Sequence, residues 1–247
     1  MTKVQRAGRS GAGRQQRVWT AAGAALLVLA ALGVVAAVRS WPAHWRTRTE
    51  TQHRGFAHAV GRVDLDLSTG DIVVVPGPPG RLDVQRKIKW SGSRPVFTER
   101  FAGEVFQAGD RCPHGAECSI TYTVTVPASA GVTARTRAGD VTVRNVSGAL
   151  SLTTTAGDVT GSGLAGPVTA RTRAGNVSLG FGRAPAQAGA WTEAGQVTVT
   201  VPRGQDYLVQ ATAAEGGTSV QVPQSPSAAH RIVAHSSAGD VRIAYGS

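Results

Sequence analysis

Aromatic side chains are scarce in this chain, at 5% of 247 residues, and there are only two cysteines. Each scarcity excludes something. Beyond residue 40 almost no apolar stripe of helical period appears, so a helical bundle is ruled out. The few aromatics form no stacking platform and no nucleic-acid reading motif is present, so nucleic acid is not an expected partner despite a net charge of +11. No phosphate loop, nucleophile elbow or metal-protease helix occurs. His44, His53, His58, His114, His230 and His235 form no spaced ligand set. No catalytic residue, cofactor or metal is expected. The first 17 residues also lack acids, while carrying Lys3, Arg6, Arg9, Arg14 and Arg17.

After that basic tail, residues 18–38 carry no charge and are mostly Ala, Val and Leu. At helical rise they reach about 31 Å, enough to cross a hydrocarbon core. Arg17 and Arg39 bracket the run, and Trp19, Trp41 and Trp45 stand near its ends, where such rings favour the interface. The acid-free basic tail favours a cytoplasmic N-terminus and an exported C-terminal domain. The length of the run and of its leader favours an uncleaved signal anchor over a cleaved signal peptide. The expected organisation is a tail at 1–17, an anchor at 18–38, a polar juxtamembrane linker at 39–60 and an exported domain at 61–247. The expected location is a bacterial cell membrane, single-pass. Outside the cytosol, Cys112 and Cys118 can close a short loop as a disulfide. Zinc binding by the pair with His114 is the alternative, but it lacks a fourth ligand.

What the chain has in abundance is glycine, 31 residues, and one short phrase written six times. It reads Thr-Arg-Ala-Gly139-Asp140-Val, Thr-Thr-Ala-Gly157-Asp158-Val, Thr-Arg-Ala-Gly175-Asn176-Val and Thr-Glu-Ala-Gly195-Gln196-Val. It returns loosely at Gly216 and again as Ser-Ser-Ala-Gly239-Asp240-Val, with an early copy at Gly70-Asp71-Ile72. From 139 onward the glycines are 18, 18, 20, 21 and 23 residues apart. Self-similarity at this period marks a solenoid.

Aligned on the glycines, apolar or small residues fall at seven, five and three positions before and two after: Val132, Ala134, Thr136 and Val141 in one copy, Val168, Ala170, Thr172 and Val177 in another. Odd positions before the glycine and even positions after it therefore face inward, as the side-chain period of two requires. By that rule Glu215 falls in an inward column. Each rung is two short strands meeting at a Gly-Asp corner, and the inward Thr column suggests a hydroxyl ladder. Residues 76–128 break the repeat and hold Trp90, Phe97, Phe101, Phe106 and Tyr122. They read as an irregular, disulfide-containing β-meander that caps the array.

Two outward features are candidate sites. Arg135, Arg137, Arg171 and Arg173 fall on one face, two rungs apart, as a solubilising surface or one that recognises anionic envelope polymer or headgroups. Asp140 and Asp158 stand on adjacent rungs, a spacing that evokes retaining glycosidases; the plainer reading is that Asp and Asn suit a turn and bond local amides. The calcium-binding β-roll phrase is missing.

The phrase Thr/Ser-x-Ala-Gly-Asp-Val at 136–141, 154–159 and 236–241, with Cys118-Ser-Ile-Thr-Tyr-Thr-Val-Thr-Val-Pro127 before the first tight rung, resembles the bacterial putative-adhesin family of β-strand-repeat proteins, common in actinobacteria and of unknown function. The resemblance covers about residues 61–245 and implies an exported or membrane-anchored β-solenoid. The expectation is an all-β solenoid preceded by one transmembrane helix, non-enzymatic, serving as envelope scaffold or adhesin-like interaction surface. Its expected partners are the bilayer, through residues 18–38, and an anionic envelope polymer or surface protein. A glycan-cleaving enzyme using Asp140 and Asp158, or an envelope-stress adaptor signalling through the tail, are the alternatives.

Overall fold

A computed structural model describes residues 47–113 and 117–246. The basic tail, the apolar run at 18–38 and His114 lie outside the described residues. Among those described, no helix is long and apolar enough to cross a membrane. Every strand belongs to one unit, Arg46–Ser247.

The N-terminal group of strands is β1 (Arg48–Phe56), β2 (Arg62–Thr69), β3 (Ile72–Gly77), β4 (Leu82–Ser91), β5 (Val96–Ala102), β6 (Val105–Arg111) and β7 (Glu117–Pro127). Next come four regular pairs: β8 (Gly131–Ala138) with β9 (Val141–Arg144), β10 (Leu150–Ala156) with β11 (Val159–Leu164), β12 (Val168–Ala174) with β13 (Val177–Phe181), and β14 (Gln187–Ala194) with β15 (Val197–Val201). The chain finishes with β16 (Tyr207–Glu215), β17 (Thr218–Val220), β18 (His230–Ala238) and β19 (Val241–Tyr245). In each regular rung the first strand joins one sheet (sheet B) and the second joins the other (sheet A). Both sheets are parallel through the rungs.

The column pattern folds as its alternation demands. Val132, Ala134, Thr136 and Val141 are buried, as are Val168, Ala170, Thr172 and Val177. Equivalent residues stack in register, Leu152 against Ala134 and Ala170, Val159 against Val141 and Val177. One position departs from the inward rule. The residue before each glycine is exposed from Ala138 to Ala238, and so is Glu215. The alternation ends there because the corner glycine takes a φ between +134° and +144°, which turns the backbone out of the pleat.

The ends depart from sequential stacking. In sheet B, β18 lies between β14 and β16, and in sheet A β19 lies between β15 and β17. The rung turning at Gly239 is thus inserted inside the rung turning at Gly216, which becomes the outermost. The other end repeats the device. Strands β6 and β7 pair in parallel with β2 and β3, so they form a rung of their own inside the region expected to be irregular. Beyond that rung, β5 pairs antiparallel with β6, β4 pairs antiparallel with β7, and β1 pairs antiparallel with β4. The expected cap is present, but one of its layers is a rung. Residues 48–56, expected in the linker, form β1 and complete it. Phe56, Phe101 and Phe106 cluster there with ring centroids 5.2 to 5.9 Å apart.

Candidate functional site

At each corner the sheet ladder skips two backbone groups. The keyed glycine N–H donates to the carbonyl before the next glycine, as from Gly157 to Ala174 O at 2.9 Å. The residue two past the glycine resumes pairing, as from Val159 to Asn176 O at 2.9 Å. Left over are the glycine carbonyl and the N–H of the residue after it.

The phrase supplies partners for both. Thr136 Oγ1 donates to Gly70 O at 3.0 Å, Thr154 to Gly139 O at 2.9 Å, Thr172 to Gly157 O at 2.9 Å, Thr192 to Gly175 O at 2.8 Å and Ser236 to Gly195 O at 2.8 Å. In the opposite direction Asp71 Oδ1 accepts from Asp140 N–H at 3.0 Å, Asp140 from Asp158 at 2.8 Å, Asp158 from Asn176 at 2.7 Å, Asn176 from Gln196 at 2.9 Å and Asp240 from Gly217 at 2.7 Å. The Thr column is therefore not a hydroxyl-to-hydroxyl ladder. The carboxylates hold the next rung's amide, not a local one. The Thr and Ser hydroxyls thus satisfy buried or half-buried carbonyls, which demand partners, while the Asp and Asn bonds lie on the exposed corner.

Glycine is required for a further reason. A Cβ on Gly157 would overlap the carbonyl of Gly139, and one on Gly175 the carbonyl of Gly157. A second small-residue column, unnoticed in the sequence, lies at the other corner: a Cβ on Gly166 would overlap the Gly148 carbonyl, and one on Gly148 the Ala130 carbonyl. Its signal was available, since these residues stand nine before the keyed glycines.

At the inserted rung, the loop joining β6 to β7 replaces the Gly-Asp corner. Cys112 and Cys118 are bonded to each other across it, with Cα atoms 5.9 Å apart. Asp110 approaches both sulfurs, but bonded sulfurs cannot act as the thiolates a metal needs. Asp110 takes the inward place that Leu67 holds on the neighbouring rung. Its carboxylate accepts the Ser68 N–H. Burial raises its pKa, and Asp66 adds to the rise.

Behind it lies a buried charge pair. Arg86 of β4 reaches across the interior to Glu99 of β5 at 2.8 Å, both side chains at most 5% exposed, with Phe97 under the guanidinium at 4.0 Å. The Tyr122 phenol shares this enclosure. Burial drives its pKa up, and the Glu99 charge adds to that. Arg86 stands at an inward position of a strictly alternating strand, between Val84 and Ile88, but its partner Glu99 lies on a different strand, and no local pattern shows that pairing.

The four predicted arginines are all exposed on the outer face of sheet B, and Arg135 and Arg171 flank Thr153. They do not form a bare basic patch. Arg171 stacks on Trp191 at 4.5 Å, and Arg173 meets Glu193 at 3.3 Å. Arg135 walls a cleft of about 530 Å³ with Asp64, Asp66, Thr98, Arg100 and Gln107. Arg137 walls an adjoining cleft of about 590 Å³ with Asp66, Ser68, Asp110 and Arg111. The two share Asp66, so the face carries a groove of mixed charge at the disulfide end and an Arg-Trp row toward the middle.

A parallel, Gly-Asp-cornered β-solenoid with an inserted disulfide rung defines the class of protein. The chain matches the family described as Toastrack DUF4097 over residues 122–245 and belongs to it. No curated protein matches. In fold it is similar to a putative cell adhesion protein from Clostridium sporogenes, at 11% identity and a TM-score of 0.50, covering 81% of this chain and 100% of that one. A putative adhesin from Bacteroides fragilis compares at 15% identity and a TM-score of 0.45, covering 80% of this chain and 97% of that one.

Proposed function

We propose that this protein is a non-enzymatic, membrane-anchored extracytoplasmic β-solenoid whose outer sheet-B face contacts an anionic envelope polymer or surface protein. The uncharged run at 18–38, with its basic, acid-free leader, supports the anchor and its orientation. The observation that carries the interaction reading is the division of labour within the phrase. Thr, Gly and Asp are spent on corner hydrogen bonds, which leaves the outward residues to vary. Among these, Arg135, Arg171, Trp191 and His235 fall on one row along the stack. Guanidinium groups two rungs apart, one braced on an indole, suit a repeating anion.

The enzymatic alternative needs carboxylates free for chemistry at Asp140 and Asp158. Each already holds a neighbouring amide, which favours the structural role. Full-length protein in detergent, mixed with purified anionic envelope polymer, should be retained. A variant with Ser at Arg135, Arg137, Arg171 and Arg173 should be released. Equal retention of both rejects the surface. Turnover of cell-wall glycan that is lost in Asp140→Asn/Asp158→Asn would reject the non-enzymatic reading.

A further inference from the structure

The solenoid ends in unlike edges. At one end the outermost strands are β1 and β5. Strand β1 carries Arg48, Glu50, His53 and Arg54, and β5 carries Glu99 and Arg100. Charges on an edge strand deter pairing with another chain. At the other end β16 is outermost in sheet B. From Tyr207 to Ala214 it reads Tyr-Leu-Val-Gln-Ala-Thr-Ala-Ala, with no charge and no proline.

The free side of β16 is identifiable. Tyr207 N–H donates to Pro223 O at 3.0 Å and Tyr207 O accepts from Ser225 N–H at 3.1 Å, so its peptide groups face away from β18. The period of two then points the peptide groups of Val209, Ala211 and Ala213 outward as well. Among the described residues, the 223–225 segment covers this side only at Tyr207. The core is also uncovered here. The inward columns that are buried on other rungs are only half-buried at Val209, Ala211 and Ala213.

We infer that this end is a strand-pairing surface whose occupant is a second copy of the same chain, joined antiparallel through Val209–Ala213 about a two-fold axis at Ala211. The segment is self-complementary in that register. Ala211 faces Ala211, Val209 faces Ala213, and Gln210 faces Thr212. No like charges are opposed. A two-fold axis normal to the sheet keeps the inward side of one copy inward in the other, so the half-buried columns of both continue one core. Isologous pairing closes at two copies, which an edge uncharged from Tyr207 to Ala214, with a charge only at its end, Glu215, requires if it is not to aggregate. The surface stands apart from the outer face of sheet B, and the inference holds whatever that face binds.

The register sets the test. Gln210 and Thr212 are exposed and face each other across the axis in a pair without mutual hydrogen bonds, with Cα atoms about 4.5 Å apart, within disulfide reach. Full-length chains carrying Gln210→Cys and Thr212→Cys, co-expressed and mildly oxidised in membranes, should form a linked dimer that neither gives alone. In detergent the native chain should run at twice its mass. Gln210→Lys/Thr212→Lys, which opposes lysines on both sides of the axis, should run at once its mass with an unchanged far-ultraviolet spectrum. A native chain that is monomeric overturns the proposal. So does a Lys variant that stays dimeric, a single-Cys chain that links as well as the mixed pair, or a Gln210→Cys chain that links to a different protein.

Discussion

The two ends of this solenoid use one topological device and finish it differently. At each end the chain runs outward first, then returns to lay a later rung inside earlier strands: β6–β7 inside the antiparallel β4 and β5, β18–β19 inside the rung β16–β17. The disulfide end then covers its last rung with antiparallel strands, an aromatic cluster and a buried ion pair. The other end has only β16 and β17, with half-buried core columns. Covering the end of a repeat array therefore takes elements the repeat itself does not encode. Where they are missing, the last rung keeps the exposure and the degenerate phrase, Glu215-Gly216-Gly217-Thr218.

The largest expected effect is in neither end but in the stack between them. Gly157→Ala places a Cβ against the Gly139 carbonyl at a φ of +143°. It should cost at least about 3 kcal/mol, through strain and overlap together. Gly80→Ala, where a Cβ meets nothing within 4 Å, should cost about 1 kcal/mol. Urea melts of the two variants check the contrast, and equal losses would remove the close-approach argument.

Breaking the buried pair comes next. Arg86→Met leaves buried Glu99 with only the exposed Arg54 guanidinium, 3.8 Å away, as its counter-charge, and should cost about 3 kcal/mol. Arg86→Met/Glu99→Leu should recover most of that loss. Hydrogen exchange should report the damage in β4 to β7 and spare β14 to β19. A uniform loss of protection would mean the ends are not independent.

Thr172→Val removes the hydroxyl from the Gly157 carbonyl and should cost about 1–2 kcal/mol, with Thr172→Ser restoring most of it. The smallest effect is a pH dependence confined to the disulfide end. Burial raises the pKa of Asp110, so the folded state holds that proton more tightly than the unfolded one. Stability should fall as pH rises from the ordinary carboxylate value through the raised one. Asp110→Asn should flatten that part of the curve, and an unchanged slope would assign it elsewhere.

The rung interior was legible because a strict period of two leaves little choice about which side chains face inward. Val141, Val159 and Val177 needed only alignment on their glycines. The corner hydrogen bonds were half legible. Thr and Asp stood out as columns, but their partners belong to the next rung, and no local pattern carries that. The order of rungs was not legible, because repeats that resemble each other stack equally well with any neighbour. The β6–β7 rung escaped because a cysteine loop replaces Gly-Asp, although Ile120, Tyr122, Val124 and Val126 alternate in plain view. Arg135, Arg137, Arg171 and Arg173 share their outward columns with Trp191 and Glu193, which alignment on the glycines shows; the acids Asp64 and Asp66 beside them were not legible, because that approach depends on how the first rung stacks.

The most direct test of the account is the rung order at the uncapped end. Trp191 lies beside His235 in adjacent parallel strands, and His235 lies beside Thr212. Strand spacing is about 4.8 Å, which a disulfide can bridge, and twice that spacing cannot be bridged. Trp191→Cys/His235→Cys should therefore close an internal disulfide on mild oxidation, seen by peptide mass mapping, while Trp191→Cys/Thr212→Cys should stay reduced. Closure of the second pair and not the first would mean the rungs stack in chain order, and would contradict the insertion on which the comparison of the two ends rests.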